Sequence, residues 1–180
     1  MSHIEYEVRV LEIDKEKMQK KLEKLDANLV EDVFQRRYLY DFKPVNPDKW
    51  IRLRTNGKTT TLTIKDVQSS KIDGTHEMEI VVDDFDTTNE ILKELGYIPR
   101  GIQENKRIKY DLNGVEVDID TWPRIPTYLE IEGKSEEEVY KTLELLDIPK
   151  DKAISLNTQS IYKEYYDIDL TKEKMLSFDK

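Results

Sequence analysis

Cysteine is absent from this 180-residue sequence, so disulfides, thiolate metal ligands and cysteine nucleophiles are all excluded. No apolar run approaches the roughly 18 residues of a membrane span. The first residues, MSHIEYEV, have neither the basic nor the apolar region of a secretory signal. From these absences we expect no membrane partner and a cytoplasmic location.

An excess of positive charge is also missing. Charged residues make up 37% of the chain and the formal net charge is −9, so the surface as a whole repels polyanions and we expect no binding of duplex nucleic acid. A phosphate-rich ligand must therefore bind in a local basic pocket.

The length suits one well-buried domain, which we place at residues 1–170 with a frayed, charged tail at 171–180. The sequence is also compatible with a homodimer.

Alternation of apolar and polar residues predicts β-strands along most of the chain. Between them, Asn56-Gly57 and Asn113-Gly114 predict tight turns. Capping residues predict three amphipathic helices, one after Asp14, one beginning at a capping box of Thr87 and Glu90, and one at a capping box of Ser135 and Glu138.

The polar faces of the predicted strands are sorted by charge. The acidic pairs are Glu5 with Glu7, Glu77 with Glu79, Asp118 with Asp120, and Glu130 with Glu132, and the basic pairs are Arg52 with Arg54 and Arg107 with Lys109. A strand with one face toward solvent would by itself explain the alternation of apolar and polar residues. It does not readily explain six pairs in which both residues carry the same sign of charge.

A barrel would explain this sorting. If the strands close into one, the charges line its lumen, and the apolar faces point outward, where the three helices can cover them. Acidic residues crowded inside a barrel repel one another unless cations neutralise them. The lumen therefore predicts a divalent metal ion together with a highly charged anion.

The order of these motifs resembles the CYTH superfamily of triphosphate tunnel metalloenzymes. The resemblance rests on Glu5-x-Glu7, the paired arginines, LTIK ending at Lys65, the second Glu-x-Glu, the basic strand, and an Asp followed by LEIE. It implies an α+β fold, a closed eight-stranded antiparallel β-barrel with a charged lumen and covering helices. It also implies that a small-molecule triphosphate or nucleotide binds in that lumen.

The same resemblance assigns roles to residues. It makes Glu5, Glu7, Glu130 and Glu132 catalytic metal ligands, with either Asp118 or Asp120 completing the acidic cluster, and Glu77 and Glu79 supporting residues behind them. It makes Arg9, Arg37, Arg52, Arg54, Lys65, Arg107 and Lys109 the substrate-binding cations. Ligation by oxygen alone suits Mg²⁺ or Mn²⁺.

Three functions are compatible with such a site. The first is metal-dependent hydrolysis of inorganic tripolyphosphate, thiamine triphosphate or a nucleoside triphosphate. The second is a class IV adenylate cyclase, which converts ATP to cyclic AMP and pyrophosphate. The third is a polyphosphate- or nucleotide-binding protein with weak catalysis. It is suggested by Arg9, which stands where the resembling proteins usually have lysine and which does not readily give up a proton.

Overall fold

Eight strands with alternating apolar and charged residues close into an antiparallel barrel in the computed structural model, which describes residues 3–179. The strands are β1 (His3–Val10), β2 (Asn28–Asn46), β3 (Lys49–Thr55), β4 (Thr60–Val67), β5 (Thr75–Val82), β6 (Gly101–Leu112), β7 (Val115–Thr121) and β8 (Tyr128–Gly133). Around the barrel they follow the order β6, β2, β3, β4, β5, β1, β8 and β7, and β7 pairs with β6 to close the ring. The predicted fold class is confirmed.

Tight turns lie where the Asn-Gly pairs predict them. Asn113 and Gly114 both have positive φ angles, 58° and 86°, and join β6 directly to β7. Such a pair twists the chain in the sense that a two-residue hairpin needs. Between β3 and β4, the side chain of Asn56 accepts hydrogen bonds from the backbone N–H groups of Lys58 and Thr59.

Four α-helices lie within the described residues, and side-chain caps define the start of each. They are α1 (Lys15–Lys24), α2 (Phe85–Glu94), α3 (Glu136–Leu145) and α4 (Thr158–Tyr166). Asp14 and Ser135 cap α1 and α3 as predicted. The predicted start of the second helix is wrong, because Asp84 accepts a hydrogen bond from Thr87 N at 2.6 Å and α2 therefore begins before the capping box. None of the helices in residues 3–179 is long and apolar enough to cross a membrane.

The hydrophobic core lies outside the barrel, between its outer face and the helices. The largest cluster joins Val8, Ile119 and Ile131 of the strands to Leu22 of α1 and Leu143 of α3. A smaller cluster packs Phe85 and Leu92 of α2 on Leu53 of β3. Because the apolar side chains are taken up on this outer face, the alternate, charged side chains must point into the lumen.

The C-terminal segment packs against the barrel. After a two-residue strand, β9 (Ala153–Ile154), and α4, a last short strand, β10 (Met175–Leu176), pairs with Ile102 and Gln103 of β6 in parallel. Leu176 is 2% exposed and belongs to the same cluster as Trp122. The prediction of a frayed tail is therefore wrong for residues 171–179, because Leu176 gives this charged segment an apolar anchor.

The covering helices should be essential to the barrel. We expect Leu143→Ala in α3, which removes a fully buried side chain, to lower the free energy of unfolding by about 2–5 kcal/mol. Leu145→Ala is the matched control in the same helix, because Leu145 is 37% exposed. Urea denaturation measures both changes, and equal losses would contradict the packing of α3 described above.

Candidate functional site

The lumen of the barrel contains a cavity of about 440 Å³, and 16 of the 28 residues that line it are charged. Fourteen of the fifteen predicted site residues line this cavity. They are Glu5, Glu7 and Arg9 of β1, Arg37 of β2, Arg52 and Arg54 of β3, Lys65 of β4, Glu77 and Glu79 of β5, Arg107 and Lys109 of β6, Asp120 of β7, and Glu130 and Glu132 of β8. The fifteenth, Asp118, is 1% exposed and lies within the wall. The structure thus brings together residues that lie as far as 127 positions apart in the sequence.

One side of the lumen, which we call the arginine face, consists of Arg37, Arg52 and Arg54. Arg37 and Arg54 are directly opposite each other on β2 and β3. Arg52, burial and Arg107 lower the pKa of Arg54 to about 10. Burial, followed by the repulsion of Arg54 and Arg52, holds the pKa of Arg37 well below its usual range. These shifts mean that three like charges are crowded in a poorly hydrated place, where a bound anion would stabilise them.

Little on the protein itself neutralises the arginine face. Arg52 and Arg54 share one oxygen of Glu79, Oε2, at 3.3 and 3.6 Å, and Arg52 also lies 3.6 Å from Glu77 Oε1. Arg37 contacts only neutral groups: it donates to Gln35 Oε1 at 2.9 Å and to Asn105, and its guanidinium lies 4.6 Å from the centre of the Trp122 ring. Its Nε has no hydrogen-bond partner among the described residues. Arg54 donates no side-chain hydrogen bond within residues 3–179 and its side chain is 20% exposed. It is therefore available to phosphate oxygens, which guanidinium groups bind through paired hydrogen bonds.

The opposite side, the acidic face, is formed by β1, β8 and β7. Glu7, Glu132 and Glu116 are neighbours across these three strands in register. Burial, then Glu5 and Glu116, raise the pKa of Glu132 to about 8. Within residues 3–179 the side chain of Glu132 has neither a hydrogen bond nor an ion pair. Carboxylates placed this closely attract a cation.

Arg9 and Arg107 lie between the two faces and neutralise much of the acidic one. Arg107 donates to Asp120 through Nε and Nη2 at 2.8 and 2.6 Å and to Glu130 at 2.9 Å, and it lies 2.5 Å from Asp118. Burial raises the pKa of Glu130, but Arg9 and Arg107 outweigh it and hold that pKa well below its usual range. For Asp118 the balance is reversed: burial raises its pKa well above the usual range, and the nearby Arg107 offsets this only in part.

Lys65, Glu77 and Glu79 complete the wall on β4 and β5. Lys65 forms a close ion pair with Glu77, and its Nζ lies 3.4 Å from Glu5. Thr63 donates to Glu79 at 2.6 Å. Glu77 and Glu79 thus form ion pairs with cations of the lumen wall.

The fit of the site to Mg²⁺ or Mn²⁺ depends on which carboxylates remain available. No three Asp, Glu or His side chains in residues 3–179 converge on one point as ligands of a single metal ion. Mg²⁺, however, is commonly held by one or two carboxylates together with the phosphates of a substrate. Glu132 has no partner and Glu5 has only the 3.4 Å contact with Lys65 among the described residues, so these two fit such an ion. Asp118, Asp120, Glu130 and Glu7 are all contacted by arginine.

Several residues that line the cavity were missed by sequence reasoning. Glu116 continues the alternation of Asp118 and Asp120 toward the N-terminus, so this signal was present in the sequence. The other missed residues are Arg100, Gln103 and, at the start of α4, Asn157, Thr158 and Gln159. Nothing in the local sequence near α4 indicates that its first turn reaches the lumen, because that contact is long-range.

The fold and the site together define a tunnel protein whose interior is lined mainly by charged side chains. The chain belongs to the CYTH family, because the family model described as CYTH domain matches residues 3–161. The resemblance stated from the motifs is thereby confirmed.

Individual relatives agree with this assignment. A protein of Methanocaldococcus jannaschii named "Putative adenylate cyclase MJ0240" is 27% identical over an alignment of 168 positions, which covers 84% of this chain and 94% of that protein. The structure of the PH1012 protein from Pyrococcus horikoshii is similar with a TM-score of 0.73 at 22% identity, over 86% of this chain and 96% of that one. That of HpAC1 from Hippeastrum, described as a "putative adenylyl cyclase", has a TM-score of 0.60 at 16% identity, over 92% and 96%.

The crowding on the acidic face should make stability depend on pH when metal is absent. The pKa of Glu132 is about 8 in the folded chain against an ordinary value of 4.5. The folded state therefore holds the proton more tightly, and the stability that this gives is complete below pH 4.5 and is lost as pH rises through 8. One such group contributes a slope of up to about 1.4 kcal/mol per pH unit.

Glu132→Gln should remove that contribution. In buffer with EDTA, we expect the variant to be more stable than the parent at pH 8 and to approach it near pH 5, as measured by urea denaturation across this range. Glu137→Gln, an exposed position of α3, serves as the control and should follow the parent. Parallel curves for parent and Glu132→Gln would show that Glu132 is not crowded by other carboxylates.

Proposed function

We propose that this protein is a divalent-metal-dependent hydrolase of a triphosphate. The observation that carries the proposal is the separation of charge across one cavity. On the arginine face, Arg37 has no acidic contact among the described residues and Arg54 has one, at 3.6 Å. On the acidic face opposite, Glu5 and Glu132 are available for a cation. A triphosphate with a bound divalent cation is complementary to both faces at once.

The charge balance of the cavity supports the requirement for a metal ion. Eight basic and eight acidic side chains line it, so the lumen is close to neutral before any ligand binds. A triphosphate brings several negative charges into this poorly hydrated space, and a buried excess charge is unfavourable. A divalent cation that enters with the triphosphate reduces that excess, and Glu5 and Glu132 are the residues that would hold it.

The protein's own groups would then act by positioning and by electrostatics. Arg37, Arg52 and Arg54 would bind phosphoryl oxygens and stabilise the charge that develops on them in the transition state. Lys65 reaches the lumen between the two faces. When bound, the metal ion would polarise phosphoryl oxygens and lower the barrier to attack by water.

Hydrolysis is favoured over cyclisation by the lining of the cavity. A cyclase must also hold a nucleoside, for which flat aromatic or apolar surface is the usual support. Trp122 is stacked by Arg37 and Tyr128 is 1% exposed. This leaves Trp50 with the apolar Leu39, Pro47, Val67 and Leu170, which are five of the 28 residues that line the lumen. The Hippeastrum relative is described as having "a dominant triphophatase activity", whereas the Methanocaldococcus relative carries a cyclase name.

Product identification tests the proposal. The purified chain is incubated with Mg²⁺ or Mn²⁺ and tripolyphosphate, thiamine triphosphate or ATP, with an EDTA reaction beside each. Metal-dependent release of orthophosphate is the expected result. Cyclic AMP with pyrophosphate from ATP would instead establish the cyclase, and tight binding without any product would establish a binding protein; either outcome overturns the proposal.

Arg54 offers a direct test of the arginine face. Because a hydrogen bond to a charged group contributes about 1.5–3 kcal/mol, Arg54→Ala should raise KM for the preferred triphosphate by roughly ten- to a hundredfold. Arg124→Ala is the control, since Arg124 forms an exposed ion pair with Glu173 outside the lumen. Steady-state kinetics measures both, and an unchanged KM for Arg54→Ala would remove it from the phosphate site.

A further inference from the structure

Arg9 makes contacts that no other lumen cation makes. Its Nε contacts Glu130, its Nη1 contacts Glu7 and the backbone carbonyl of Leu156, and its Nη2 contacts Glu7 and Glu130, all at 2.6–3.3 Å. A guanidinium group has five N–H donors. Four hydrogen bonds to protein oxygens therefore engage all three nitrogens of Arg9, and Nη2 also forms an ion pair with Glu130 at 2.6 Å, although Arg9 lines the cavity.

This contact pattern separates Arg9 from the arginine face. Arg54 donates no side-chain hydrogen bond within residues 3–179 and is 20% exposed, and Arg37 donates only through Nη2, so both retain donors for phosphate. Arg9 has no donor left to offer. Instead, the positive charge of Arg9 neutralises Glu7 and Glu130 through ion pairs. These are two of the carboxylates that the resemblance assigns to metal binding.

The contact with Leu156 indicates that Arg9 stays where it is. Leu156 immediately precedes Asn157, the N-cap of α4, and the hydrogen bond from Arg9 to its carbonyl is 2.7 Å long. A cation that entered between Glu7 and Glu130 would have to displace a guanidinium that is 5% exposed and also tied to the backbone. Such a displacement would leave a buried charge unpaired, which is strongly unfavourable.

We propose that Arg9 is a resident cation that withholds Glu7 and Glu130 from metal binding, so that this tunnel takes up one divalent cation with its triphosphate, at Glu5 and Glu132. This inference rests on the proposed function and specifies its metal requirement. Arg9 is then a positioning residue: it touches neither metal nor phosphate, and it determines which carboxylates can bind a metal ion.

Replacement of Arg9 by lysine tests this role, because lysine keeps the positive charge but lacks the planar arrangement of donors in a guanidinium group. A lysine ammonium has three donors at one point and cannot make the five contacts of Arg9 at once. Arg9→Lys should therefore release carboxylate oxygens of Glu7 and Glu130 for a second cation. Arg100→Lys is the matched control, because Arg100 also lines the cavity but contacts Asp41, away from the acidic face.

The experiment counts bound Mn²⁺ by electron paramagnetic resonance, in the presence of a non-hydrolysable methylene analogue of tripolyphosphate. We expect one Mn²⁺ per chain for the parent and for Arg100→Lys, and two for Arg9→Lys, with the spectral broadening that two neighbouring Mn²⁺ ions cause. Circular dichroism establishes that each variant is folded. Two tightly bound Mn²⁺ in the parent, or one in a folded Arg9→Lys, would overturn the inference.

Two further variants test the same inference if Arg9→Lys does not fold. They also distinguish a failure of this inference from a failure of the proposed function. Glu130→Gln should still bind one Mn²⁺, because Glu130 is not a ligand, whereas Glu132→Gln should bind none. Loss of Mn²⁺ from Glu130→Gln would refute the role of Arg9 and leave the hydrolase proposal intact. Absence of Mn²⁺ binding in the parent would contradict the metal-dependent hydrolase itself.

Discussion

Arg107 carries one positive charge and contacts three carboxylates, those of Asp118, Asp120 and Glu130. The closed barrel places all of these groups where water is scarce, so their mutual neutralisation is the condition on which the charged lumen depends. Arg9 repeats the arrangement with Glu7 and Glu130. These two guanidinium groups allow β1, β6, β7 and β8 to close around a set of acidic side chains that would otherwise repel one another.

The ion pairs within the wall also determine which charges in the lumen remain available to a ligand. Where arginine and carboxylate alternate across strands, the charges cancel within the wall. Where like charges are neighbours in register, as with Arg37 and Arg54 or with Glu7 and Glu132, they do not cancel. Arg52 and burial lower the pKa of Arg54, and burial together with Glu5 and Glu116 raises the pKa of Glu132. The candidate functional site is therefore the part of the lumen that internal ion pairs leave unneutralised.

Much of this could be predicted from the sequence because a strand alternates with a period of two. Once the outer, apolar face is known, the direction of every charged side chain on the strand follows, and fourteen of the predicted site residues do line the cavity. The prediction was wrong for the start of α2, where the capping box lies inside the helix and Asp84 is the cap. It was also wrong for the described part of the tail, where a charged composition concealed the buried Leu176.

The sequence by itself determined which strands carry which sign of charge and which face each one presents, since alternation and turn residues are local properties of the chain. Only the tertiary structure decided how those charges pair. Asp118 and Asp120 are equivalent in their alternation, yet Asp120 lines the cavity and Asp118 does not. Arg9 and Arg54 are both lumen arginines, yet Arg9 is held by partners more than 100 residues away while Arg54 shares one glutamate with Arg52. Strand register and barrel closure set these distances, and neither is encoded in a short stretch of sequence.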